Sequence, residues 1–156
     1  MIIQLIMLTL SGIFLARTVL IIAGYLKGPV LQRFERYGPE EFFYQPIPMF
    51  LVALSAFLIS FNEVLGMGVP IAPLVVLFLL LAYFLWAAPE VSQRYPKILL
   101  RYPYWLTELK ERTGRYERRR IAYMWLRLPK RLKSVYNSND RAFQEWADFV
   151  ILGTFS

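Results

Sequence analysis

The side chains able to do chemistry in this chain are carboxylates, hydroxyls and cations, because it has no histidine and no cysteine. Thiol nucleophiles, imidazole bases, disulfides, zinc-finger ligation and His-ligated haem are therefore beyond what the chain alone can supply. General acid–base work would rest on carboxylates. Their densest group, Glu108, Glu111 and Glu117, stands three or four residues from Arg112, Arg115 and Arg120. On a helix that spacing makes surface ion pairs worth about 0.2–0.5 kcal/mol each, not an isolated carboxylate pair for proton transfer. No phosphate-cradling glycine loop, HExxH motif or nucleophile elbow occurs. An enzymatic role is not expected, and no cofactor or metal site is predicted.

Two charges stand alone in apolar surroundings. Arg17 interrupts the first apolar stretch, and an intramembrane charge is by default a functional hint. It lies about seven residues from the end of that stretch, roughly 10 Å at the helical rise, which a snorkelling arginine can reach. Glu63 precedes the turn Gly66-Met67-Gly68. A proton-coupled carboxylate belongs nearer the bilayer middle, so a solvated helix end is expected there. The two charges belong near opposite faces, about 20 Å apart, and an ion pair between them is not expected.

The strongest candidate working surface is a basic cluster: Arg118, Arg119, Arg120, Arg127, Lys130 and Arg131, with Lys133 just beyond. Ile121, Met124, Trp125 and Leu128 recur through it at i, i+3, i+4 and i+7, an apolar stripe on one helix face. A basic amphipathic helix of this kind suits anionic lipid headgroups or a docking partner. Nucleic acid offers the same electrostatic attraction, but it does not need the stripe, and no nucleic-acid motif is present. The plainer expectation is a helical cap folded against the first loop.

The elements that must position these residues are dominated by apolar runs. Of 156 residues 57% are hydrophobic and 19% charged, against about 25% charge in an ordinary soluble domain. From Phe42 to Asn62 and from Val64 to Pro89 there is no charge, runs of 21 and 26 residues. A helix needs about 20 residues to cross a bilayer core of about 30 Å. The expected fold is all-α: an integral membrane protein with three transmembrane helices and a helical, basic cytoplasmic tail. The spans are placed at about 2–24, 46–65 and 69–88, with the second and third forming a helical hairpin. The first is read as a retained helix, since its start lacks the basic residues of a signal peptide. Gly12 with Ala16, and Ala56 with Ser60, form small-xxx-small pairs suited to close helix packing.

Residues 1–88 thus form the transmembrane region and 89–156 the tail. The tail holds fourteen of the eighteen Lys and Arg and accounts for the whole net charge of +7. With three spans, the 25–46 loop and the tail share one side and carry seventeen basic residues, against none on the other. The positive-inside rule then puts the N-terminus outside and the tail in the cytoplasm of a bacterial-type membrane. An aromatic belt is expected at the interface, from Tyr25, Phe34, Tyr37, Phe42, Phe43 and Tyr44 in the loop and from Trp86, Tyr95, Tyr102, Tyr104 and Trp105 after the third span. The tail itself is read as one helix from Pro103 to Leu128, closed by Pro129. A second helix starts with Ser138 or Asn139 as N-cap and ends at Leu152, with Gly153 as C-cap.

Three spans without catalytic machinery suggest an accessory, scaffold or assembly subunit of a larger membrane complex, with respiratory and photosynthetic assemblies among the candidates. Other membrane subunits and anionic lipids are the expected partners. Contacts with pigments or quinones have no ligand motif to support them. The alternatives are a self-assembling small pore or transporter, and a membrane-anchored binder of anionic lipid or nucleic acid.

Overall fold

A computed structural model of the chain describes residues 1–37 and 39–153. Among them the regular structure is entirely helical: α1 (Ile2–Ile22), α2 (Gly28–Leu31), α3 (Glu40–Phe43), α4 (Pro46–Leu65), α5 (Ala72–Ala87), α6 (Pro89–Arg94), α7 (Pro96–Leu99), α8 (Tyr104–Arg112), α9 (Arg115–Arg127), α10 (Lys130–Ser138) and α11 (Asp140–Leu152). The chain divides into two compact units. One comprises Met1–Val19 and Gln45–Arg101, and the other Leu20–Tyr44 with the chain from Tyr102 onward. The first loop folds with the tail, and α6 and α7 remain with the apolar helices.

The first unit is built from α1, α4 and α5. Two stretches, Ile2–Ile22 and Glu40–Leu65 (α3, a break at Tyr44-Gln45, and then α4), are long and apolar enough to cross a membrane. The third apolar helix, α5, has 16 residues, about 24 Å, which falls short of an average hydrocarbon core. Proline stands in the first turn of α4 and of α5, where its missing N–H costs nothing. The pair is joined by a short turn in which Gly66 and Gly68 take φ of 58° and 60°, the left-handed region that glycine enters without a Cβ clash. Beyond Pro46 and Pro48 in its first turn, the side chains that α4 buries are small, Ala53, Ser55 and Ser60, and α5 offers Val75, Ala82 and Leu85. α1 comes close to α4 at Gly12, where a Cβ would lie 3.7 Å from the Phe57 ring. Ala16, by contrast, is exposed.

Most hydroxyls in these apolar helices bond within their own helix, although that of buried Ser55 in α4 has no partner among the described residues. Thr9 donates to the Leu5 carbonyl at 2.8 Å, Thr18 to Phe14 at 2.9 Å and Ser60 to Ala56 at 3.0 Å. Arg17 and Glu63 are both exposed, and among the described residues no ion pair joins them.

The second unit has a conventional core. Trp105, Leu106 and Leu109 of α8, Ile121, Ala122 and Trp125 of α9, and Phe143, Ala147 and Val150 of α11 meet Val30, Leu31, Phe34, Phe43 and Tyr44 of the 20–44 segment. Aromatic edges dominate it: the Trp125 ring lies 5.8 Å from Phe143 and 5.9 Å from Trp146, both edge to face, and Tyr136 stacks on Trp146 at 5.5 Å. These are the preferred geometries of aromatic pairs.

The expected single helix from Pro103 to Leu128 is two helices. The chain breaks at Thr113-Gly114, where the Glu117 carboxylate accepts the Gly114 N–H at 2.6 Å and so caps α9. Beyond Pro129, which begins rather than separates, α10 forms a further helix that the periodicity did not announce. Asn139 caps α11 as expected, its Oδ1 accepting the Ala142 N–H at 3.1 Å.

Candidate interaction site

The second unit holds the ion pairs described below, and its polar groups divide into an internal set and an external one. The internal set ties the 20–44 segment to α8–α11. Lys27 follows α1 by five residues, and its side chain is fully buried. Its Nζ lies 2.6 Å from Asp140 Oδ1 and donates to the Asn137 carbonyl at 3.1 Å, while its backbone N–H donates to Asn137 Oδ1 at 3.0 Å. The ammonium also sits 5.5 Å from the centre of the Phe143 ring and 5.9 Å from that of Trp105. A buried charge is tolerable only when its donors are this fully engaged.

A second seam runs along α3. Glu40, also buried, pairs with Arg118 Nε at 2.7 Å and with Lys110 at 3.7 Å. Glu41 pairs with Lys110 at 3.4 Å and accepts the Tyr102 hydroxyl at 3.3 Å, and the Lys110 ammonium stands 4.3 Å over the Tyr102 ring. Glu41 precedes the uncharged run that feeds α4. Burial opposes its ionisation, but a backbone hydrogen bond, the Lys110 charge and the Tyr102 hydroxyl outweigh it, so its carboxyl titrates below the usual value. Burial and the neighbouring Glu41 and Glu40 charges push the Tyr102 phenol well above its ordinary range. The phenol therefore stays protonated and donates to Glu41.

The ten-residue contact strip read from the sequence is split by this fold. Ile121 and Trp125 are buried, Leu128 packs partly buried against the core, and Arg118 is engaged by Glu40. Those four face inward, so most of the apolar stripe closes the unit's own core. The physical reason is that the first loop supplies the apolar and acidic groups those side chains need. Arg119, Arg120, Met124, Arg127, Lys130 and Arg131 remain exposed. Arg119 donates to the Glu35 carbonyl at 3.1 Å, and Arg127 lies 4.1 Å over the Tyr123 ring and donates to its hydroxyl. The belt is divided likewise: Phe34, Phe43, Tyr44 and Trp105 are core, Tyr102 is half-buried, and Tyr25, Tyr37, Phe42, Trp86, Tyr95 and Tyr104 are exposed.

Sequence reading missed Lys27, Glu40 and Glu41 altogether. A lysine four residues from an apolar run looks like a loop cation, and nothing local marks it as buried. Glu40 and Glu41 carried a faint signal, an acidic pair at the start of an aromatic cluster. Among the described residues no group of three or more Asp or Glu side chains is placed to hold a metal ion. No protein-family model, curated protein or solved structure matches the chain.

Proposed function

We propose that this chain is an accessory, scaffold or assembly subunit of a larger membrane protein complex. In this reading α1, α4 and α5 lie in the bilayer, and the second unit is held on the cytoplasmic side. The observation that carries the reading is the outward-facing apolar surface of the first unit. Ile6, Leu10 and Ile13 of α1 are 51%, 58% and 60% exposed, and Leu77, Leu80 and Phe84 of α5 are 59%, 62% and 56% exposed. A water-soluble monomer does not leave several helices uncovered in this way. Lipid tails or the helices of neighbouring subunits are the natural cover.

The composition of the second unit supports the same topology. It joins residues before α4 to residues after α5, so the chain between them crosses the bilayer an even number of times. A hairpin of two spans meets that condition. Seventeen basic residues then lie on the side that the positive-inside rule calls cytoplasmic. α5 is short, but tilt, local thinning of the bilayer and the adjoining Val69–Ile71 segment can absorb a few ångströms of mismatch.

The test is extraction from native membranes in mild detergent, followed by measurement of particle mass and co-migrating proteins. A subunit runs with stable partners in a particle many times the 18.4 kDa of the chain. Migration alone or as a small homo-oligomer rejects the subunit role and favours a small pore or transporter.

A further inference from the structure

The external polar set includes a groove that the sequence did not announce. It has a volume of about 460 Å³ and is lined by Lys130, Lys133, Ser134, Asn137 and Ser138 of α10 together with Tyr25 and Leu26. The five α10 residues fall at i, i+3, i+4, i+7 and i+8, one continuous helix face. Among the described residues no carboxylate lines the groove.

We propose that this groove binds the phosphate headgroup of an anionic phospholipid. The proposal rests on the membrane-anchored reading above and adds a specific ligand to it. The polar groups on the groove wall suit a phosphate: two ammonium groups, the Ser134 hydroxyl and a carboxamide can donate, while the Ser138 hydroxyl already donates to the Val135 carbonyl at 2.9 Å. Lys133 uses one N–H on the Leu126 carbonyl at 3.1 Å and keeps two. Asn137 is held in place from behind. Its Oδ1 accepts the Lys27 backbone N–H at 3.0 Å and its carbonyl accepts the Lys27 ammonium at 3.1 Å, so its NH₂ is the group left to donate. The buried Lys27–Asp140 pair thereby positions one groove residue, which gives that costly interaction a use beyond joining two segments.

Position along the chain selects a lipid over a soluble anion. Tyr25 follows the end of α1 by three residues and is 62% exposed. When α1 spans, Tyr25 sits at headgroup depth, the level that a phenol with an apolar body and polar tip prefers. Leu132 and Val135 of the same α10 are also 40% and 51% exposed, so the helix carries apolar side chains beside its cationic face, as helices at an anionic bilayer surface do.

The experiment uses the full chain reconstituted into nanodiscs of phosphatidylcholine with a minority of phosphatidylglycerol, and counts by native mass spectrometry the lipids that stay with the protein. Each lysine at such a surface contributes about fivefold in affinity at ordinary salt. The double variant Lys130→Ala/Lys133→Ala should therefore retain phosphatidylglycerol about thirtyfold less well. Arg115→Ala/Arg141→Ala, an equal loss of charge at exposed sites outside the groove, should change retention by less than about twofold. Ser134→Leu fills the groove with charge intact and should also lose the lipid, a result that diffuse electrostatics does not give. Unfolding followed by tryptophan fluorescence checks that each variant is folded. Equal losses in the two double variants overturn the site, as does a Ser134→Leu chain that keeps its lipid. Displacement of phosphatidylglycerol by inorganic phosphate as readily as by added lipid overturns the lipid assignment and leaves a soluble-anion site. A chain that enters the discs without preferring phosphatidylglycerol rejects the groove alone. A chain that never enters them rejects the membrane reading too.

Discussion

Lys27 offers the sharpest test of how the second unit is held together. Its side chain is fully buried, and its ammonium faces Asp140 at 2.6 Å, while Asp140 itself is 41% exposed. Removing one partner of a buried pair typically costs about 3–5 kcal/mol, because the other charge is stranded. Asp140 is partly solvated, so water can replace some of what Asp140→Asn removes, and a cost of about 2–3 kcal/mol is expected. Lys27→Met is different in kind. It keeps the length of the stem between Trp105 and Phe143 and removes the buried charge along with its desolvation penalty. What remains is a carbonyl, that of Asn137, without its donor, a loss of about 1 kcal/mol. Once Lys27 is methionine, Asp140→Asn should cost little more. The double-mutant cycle should then return a coupling of about 2 kcal/mol, which also removes the contribution of Asp140 to the α11 N-terminus. The assay is denaturant unfolding in detergent followed by tryptophan emission, since Trp105, Trp125 and Trp146 all lie in this unit. Additive single effects, or a Lys27→Met variant less stable than Asp140→Asn, would refute the reasoning.

Three further outcomes are expected. Gly24 has φ of +90°, and a Cβ there would lie 3.1 Å from Pro103 Cβ and 3.2 Å from Trp105 Cδ1. Gly24→Ala should lower stability by about 2 kcal/mol, read as a fall in Tm. Trp125→Ala should cost about 3–5 kcal/mol as a core deletion, whereas Met124→Ala on the exposed side should stay within about 0.5 kcal/mol. Comparable losses at the two positions would mean that the stripe does not point inward. Because the folded carboxyl of Glu41 titrates below its ordinary value of 4.5, its contribution is complete above that value and disappears as the pH falls through the lower, folded one. The unfolding midpoint should drop on acidification below 4.5 in the native chain. It should drop less steeply in Glu41→Gln, and superimposable acid limbs would reject that assignment.

The parts of the fold that were legible in the sequence are those fixed by local chemistry. Pro46 in a first turn, the Gly66–Gly68 turn, and Asn139 ahead of an apolar face each act through their own backbone. The helices they bound, Pro46–Leu65 and Asp140–Leu152, begin and end where that chemistry puts them. Thr113-Gly114 is local too, with Glu117 three residues on, but the density of arginine and glutamate around it reads as uninterrupted helix. The division of the chain was not legible, because it depends on long-range partners. Arg118 looks like a surface cation until Glu40 lies 2.7 Å away, and the Ile121–Trp125 stripe looks free until the 20–44 segment covers it. The groove was hidden for the same reason. Lys130 and Lys133 were visible as charge, but only the fold sets Tyr25 beside them.

The placement of α5 tests the central claim most directly, since the three-span topology stands or falls with this 16-residue helix. The chain has no cysteine, so a single cysteine is an unambiguous marker. Met67→Cys, in the turn before α5, and Arg141→Cys, exposed on α11, are treated with a membrane-impermeant maleimide in intact cells and in inside-out vesicles. The account predicts that Met67→Cys reacts only in intact cells and Arg141→Cys only in inside-out vesicles. Labelling of both from the same face would contradict it, because α5 would then not cross the membrane.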